Sequence, residues 1–136
     1  MSSTNFAENK ILDQLFGATA LTPVANYFVG LSTSTPNETG GGITEPSSGA
    51  YARVQIANNK TTFGTASAGA LTNAIAISFA ESTASWGTIT HIVFYDALNS
   101  GNVWFWEALP VSKSVAAYTT VYFSVGSLTI SNLNAG

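Results

Sequence analysis

Apolar residues recur along this chain with two different periods. Between Asn5 and Phe16, the residues Ile11, Leu12, Leu15 and Phe16 fall on one side of a 3.6-residue wheel, and Asn5 with Glu8 forms a capping-box-like start. This predicts a helix over 5–16 with Gly17 as its C-cap. Residues 18–25, which include Pro23, read as a linker, and beyond them the period drops to two. Short apolar or alternating runs at 27–32, 50–57, 74–79, 88–95, 102–109, 119–124 and 127–131 are separated by turn-forming residues. Strands spaced in this way predict an all-β fold, a β-sandwich of jelly-roll-like character carrying one short N-terminal α-helix. At 136 residues the chain has the size of a single domain, 1–136, with the sandwich over 26–131.

Two of the predicted strands are apolar on both faces. By alternation Ile89, His91, Val93 and Tyr95 share one face and Ile92 and Phe94 the other, while Val103 and Phe105 oppose Trp104 and Trp106. Asn99-Ser100-Gly101 is the natural hairpin turn between these strands. A sandwich strand usually has one wet face, so something must cover the outer one. The helix over 5–16 and a neighbouring subunit are both expected to contribute. The loop over 34–49 is long for a hairpin connection, and its Pro36, Gly40-Gly41-Gly42 and Pro46 disfavour helix and regular pairing. It is either a tolerated surface insertion or an arm that orders against a neighbouring protein.

Composition strengthens the expectation of assembly. Only 8% of residues are charged, whereas the chain holds three Trp, five Tyr and eight Phe, and interface cores deplete charge and enrich aromatics. Seven acidic against four basic residues, with Lys10, Arg53, Lys60 and Lys113 scattered singly, argue against nucleic acid as a partner. No apolar run approaches membrane-spanning length, and the polar start Met1-Ser2-Ser3-Thr4-Asn5 lacks the pattern of a secretory leader, so neither a membrane partner nor export is expected. The two N-x-T sequons, at Asn37 and Asn59, therefore carry no expectation of glycosylation. With no Cys, there are no disulfides, thiolate metal sites or cysteine nucleophiles.

Candidate chemistry is sparse. His91 is the only histidine, and a metal site needs three or four ligands. Asp96 lies on the opposite face from it by parity, so His91 reads as a hydrogen-bonded strand residue. Glu38, Glu45, Asp96 and Glu107 show no spacing that selects a catalytic pair. The triple glycine lacks the Gly-Lys-Ser/Thr ending of a phosphate loop, and no G-x-S-x-G elbow occurs. Neither an enzymatic activity nor a cofactor is expected. Tyr51 and Arg53, two residues apart, face one side; Arg53 either anchors a neighbour's carboxylate or makes an intrachain ion pair or a stack on Tyr51 or a Trp. Trp104 and Trp106, sharing a face about 7 Å apart, are suited either to a core or subunit interface or to a sugar-stacking platform of a carbohydrate-binding module. The candidate interface residues are thus Tyr51, Arg53, Trp104, Trp106, Ile11 and Leu15.

Several stretches resemble a known family. Phe28-Val29-Gly30-Leu31-Ser32-Thr33 with Pro36, Gly40-Gly41-Gly42, Thr44-Glu45-Pro46 and Gly49-Ala50-Tyr51-Ala52-Arg53-Val54 is similar to the opening of small virion proteins of tailed bacteriophages. Trp86-Gly87-Thr88-Ile89-Thr90-His91 leading to Phe94-Tyr95-Asp96, Gly101-Asn102-Val103 with Trp104 and Trp106, and Phe123 to Ile130 continue the resemblance. Glu107 stands where a glycine is common in that family, and Ala117-Tyr118 stands where a glycine-containing turn is common. The resemblance implies a non-enzymatic structural protein of the virion, assembled in the host bacterial cytoplasm. The preferred role is a capsid cement or decoration protein, a homotrimer seated on the major capsid protein. The alternative within the resemblance is a tail or head fibre component that contacts the host surface.

Overall fold

The computed structural model describes residues 1–131, so 132–136 of the expected domain lie outside the described residues. The fold is all-β with one short helix. In chain order the elements are β1 (Ser2–Ser3), α1 (Asn5–Phe16), β2 (Asn26–Ser32), β3 (Val54–Ala57), β4 (Ala70–Thr72), β5 (Ile77–Ser78), β6 (Gly87–Tyr95), β7 (Val103–Val115), β8 (Tyr122–Phe123) and β9 (Thr129–Ser131). Five of them form one antiparallel sheet in the order β1-β7-β6-β2-β3. The second layer is two separate two-stranded ribbons, β4-β9 and β5-β8. Between the layers lies the main core, where Val29, Leu31, Ile56, Ile89, Ile92 and Phe94 of the sheet meet Phe63, Ile77, Phe79, Val121 and Leu128.

The helix spans Asn5–Phe16 as predicted, but the residue that caps it lies one position before the capping-box candidate Asn5. Thr4 is the N-cap: its hydroxyl accepts from the Ala7 N–H and donates to the Val103 carbonyl at 2.6 Å. The Glu8 carboxylate instead accepts from the Ser3 hydroxyl at 2.6 Å. A two-residue strand was invisible to periodicity, yet β1 pairs Ser2 with Trp106 and Ser3 with Phe105 and so ties the helix start to the edge of β7. Gly17 does close the helix, its N–H reaching the Asp13 carbonyl.

Two irregularities in the β6-β7 ladder overturn the alternation expected from sequence. The pairing slips between Ile89 and His91, where four residues of β7, Leu109 to Ser112, stand against the single residue Thr90 in an irregularity that contains Pro110. Ile89 therefore enters the main core with Ile92 and Phe94 rather than sharing a face with His91, Val93 and Tyr95. A second slip, between Phe94 and Tyr95, leaves Trp104 as the extra residue. Val103 consequently joins Trp106, Val93 and Tyr95 on the outer face, while Phe105 packs on the main core. Trp104 and Trp106 do not act as one platform: Trp104 lies edge-on to Phe6 and Tyr27, and Trp106 lies against His91.

The hairpin between β6 and β7 forms where predicted. Ser100 and Gly101 both take positive φ, 55° and 79°. A Cβ on Gly101 would stand 2.6 Å from the Asp96 carboxylate, which caps the turn by accepting from the Asn102 N–H at 2.7 Å.

Candidate functional site

The chain's own loop, rather than the length of the helix, packs on the outer face of β6 and β7. Ser34 to Gly49 folds back on the sheet through local hydrogen bonds. The Thr33 N–H reaches the Thr44 carbonyl at 2.9 Å, the Ser34 hydroxyl reaches the Gly42 carbonyl at 2.6 Å, and Asn37 Oδ1 accepts from the Thr39 and Gly41 N–H groups. Ile43 is thereby packed against Val93, Tyr95, Val103 and Trp106. The Glu38 carbonyl accepts from the Asn5 N–H at 2.8 Å, which ties the loop to the helix start.

A charged network fastens the far end of this loop. Arg53 donates to both Glu45 oxygens, Nε at 3.0 Å and Nη2 at 2.7 Å, and its Nη1 donates to the Ala97 and Ser100 carbonyls at 2.8 and 2.7 Å. The guanidinium lies 3.3 Å above the centre of the Tyr95 ring. Tyr51 completes the set, its hydroxyl donating to Glu45 at 2.7 Å and accepting from the Leu31 N–H at 2.8 Å. Burial, with the adjacent carboxylate adding to it, pushes the phenols of Tyr51 and Tyr95 well above their ordinary range, so both stay neutral. Tyr51 and Arg53 are thus brought together, with Glu45 between them and Tyr95 beneath, and the Arg53 side chain is only 8% exposed. Its aromatic partner is Tyr95 rather than Tyr51 or a tryptophan. Gly30 of β2 lets this cluster close, since a Cβ there would stand 2.7 Å from the Glu45 carboxylate.

Trp104 is 6% exposed, and its indole N–H donates to Asp96 at 3.2 Å. Burial works to raise the Asp96 pKa, but the donors from Asn102 and Trp104 outweigh it and hold the carboxyl below its ordinary value. Trp106 is partly buried, with its Nε1 buried and without a hydrogen-bond partner, and Trp86 is buried with its Nε1 donating to the Gly49 carbonyl at 2.8 Å. No two of these rings form an exposed sugar-stacking surface. His91 is also buried, its Nδ1 2.7 Å from the Thr90 hydroxyl, and burial lowers its pKa. Among the described residues no group of three or more His, Cys, Asp or Glu could hold a metal ion. Among the described residues no helix is long and apolar enough to cross a membrane.

The exposed apolar surface lies elsewhere. Only Ala7 of α1 is buried, whereas Leu12, Leu15 and Phe16 are 53%, 66% and 84% exposed and Ile11 is half-buried. The predicted stripe exists but does not pack on its own sheet. A second feature, which sequence reasoning missed, is a hollow of about 410 Å³ lined chiefly by Tyr27, Phe63, Leu71, Phe94, Phe105 and Ile130, with Lys60 also at its wall. Its walls come from six separate segments, so no local motif announces it.

An all-β protein with one helix held at a sheet edge, an interior braced by aromatic and ionic contacts, and apolar surface on view has the build of a structural subunit. The comparison with family models agrees. The model described as Podophage GP4 fiber I protein gp80 matches residues 2–131, and the chain belongs to that family of fibre-like virion proteins of tailed phages. No curated protein matches it.

Proposed function

We propose that this chain is a non-catalytic fibre subunit of a tailed-phage virion, working as a homo-oligomer. The observation that carries the reading is the family match over residues 2–131, whose description names a fibre protein. The displayed stripe of α1 supports it, because contiguous exposed apolar surface marks interaction sites. A homotrimer is the arrangement we favour, with closed rotational symmetry repeating one contact between successive copies. The decoration role, with the major capsid protein as partner, would act through mass-action stabilisation of the lattice, and it makes a different quantitative demand.

The deciding experiment is the copy number per purified virion, measured by mass spectrometry against the major capsid protein, together with antibody labelling in electron micrographs. A small fixed number of copies with label at appendages supports the fibre role. A copy number matching the capsid lattice overturns it in favour of decoration, and absence from the particle overturns both.

A further inference from the structure

The molecule carries two apolar features that do not meet: the convex stripe of α1 and the hollow beside Lys60. None of Leu12, Leu15 and Phe16 lines that hollow. The helix is pinned through its first turn, by β1 on β7, by the Thr4 hydroxyl on the Val103 carbonyl and by Phe6 edge-on to Trp104, so its apolar half projects from that anchor.

We propose that the α1 stripe of one copy seats in the hollow formed by Tyr27, Phe63, Leu71 and Phe105 of a second copy. This extends the homo-oligomeric fibre reading and names the surfaces that build it. The first argument is area. From their exposures, the three side chains display on the order of 400 Å² of apolar surface, about half of the ~800 Å² that each partner contributes to a stable interface. In a closed head-to-tail ring each copy both inserts a helix and receives one, so two such contacts hold every subunit.

The second argument is charge. Asp13 lies beside Leu12 and one turn before Phe16, and Lys60 lies at the wall of the hollow. The ion pairs among the described residues are Met1 with Glu107 and Arg53 with Glu45, so among those residues neither Asp13 nor Lys60 is paired with an opposite charge. Lys60 donates to the Gly64 carbonyl at 3.1 Å. Seating the stripe in the hollow brings these two charges together and sets the register. The exposed edge of β7 is a poorer joint, because Pro110 cannot donate to an added strand.

The test uses the full chain, purified, in sedimentation equilibrium and light scattering, with near-UV circular dichroism to confirm that each variant is folded. The wild type is expected to associate, and Leu15→Ser with Phe16→Ser to give a folded monomer. Asp13→Lys and Lys60→Glu should each weaken association about tenfold, the scale of a modest interfacial charge pair. Their combination should restore most of it. A monomeric wild type, including one whose stripe binds a different virion protein, overturns the proposal, and so does association indifferent to the serine substitutions. Failure of the combined reversal to exceed either single one overturns the pairing of stripe with hollow. None of these outcomes depends on where the protein sits in the virion, so the fibre reading and this contact fail separately.

Discussion

Replacing Arg53 with methionine tests the network that fastens the loop over the outer face. The substitution keeps most of the side chain's bulk over Tyr95 and removes the guanidinium. Glu45, 23% exposed, would lose both guanidinium donors while keeping the Tyr51 hydroxyl, and the Ala97 and Ser100 carbonyls would lose the Arg53 donor. Breaking a buried ion pair from one side costs about 3–5 kcal/mol; partial exposure of Glu45 argues for the lower end, about 3 kcal/mol. With an unfolding entropy of about 2.1 cal/mol/K per residue, a loss of about 3 kcal/mol lowers the melting midpoint of a 136-residue chain by roughly 10 °C. Urea and thermal unfolding of Arg53→Met, Glu45→Gln and the double variant form a cycle. The double variant should cost clearly less than the sum of the singles, by about 2 kcal/mol, because it leaves no unpaired charge behind. If Arg53→Met alone lies within about 1 kcal/mol of wild type, the network contributes far less than its geometry requires and the reasoning fails.

Three further outcomes follow from named contacts. Gly30→Ala should destabilise by about 1–3 kcal/mol or more, because the new methyl would overlap Glu45 and Tyr95; chemical denaturation measures it. His91 is held below its ordinary pKa by burial, so the unfolded chain binds the extra proton first. The stability this provides is present above about pH 6.5 and is lost as pH falls from there towards the folded value. Melting midpoints should decline more steeply over that window in the wild type than in His91→Gln. Tyr118, exposed at φ 62°, should gain about 0.5–1 kcal/mol on change to glycine, since left-handed strain outweighs the added chain entropy; a lower denaturation midpoint would contradict this.

Much of the architecture was legible because it rests on local chemistry. The helix, the strand content and the Asn99-Ser100-Gly101 turn follow from periodicity and from residues that tolerate positive φ. The misplaced features depend on distant partners. The N-cap moved to Thr4 because its hydroxyl bonds to β7, about a hundred residues away in sequence. The faces of Ile89, Val103 and Trp104 were misassigned because strict alternation fails at bulges, and one slip flips every side chain after it. Ile11 and Leu15 were singled out from the apolar stripe, but only packing could show that Leu12, Leu15 and Phe16 would be left outside. The intrachain option for Arg53 was legible as an alternative; its partner Glu45 was visible only as a loop residue of unspecified role.

The fastened loop also bears on how long the molecule lasts once folded. Its contacts join Leu31, Glu45, Tyr51, Arg53, Tyr95 and the hairpin at Ala97 and Ser100, so they can form only after β2 and β6 have paired. Interactions absent from the folding transition state slow unfolding without slowing folding. We predict that the Arg53 cluster acts as a kinetic latch, so that Arg53→Met unfolds faster than the wild type while folding at nearly the same rate. For a protein that must remain intact outside any cell, with no synthesis to replace it, lifetime rather than equilibrium stability is the relevant measure.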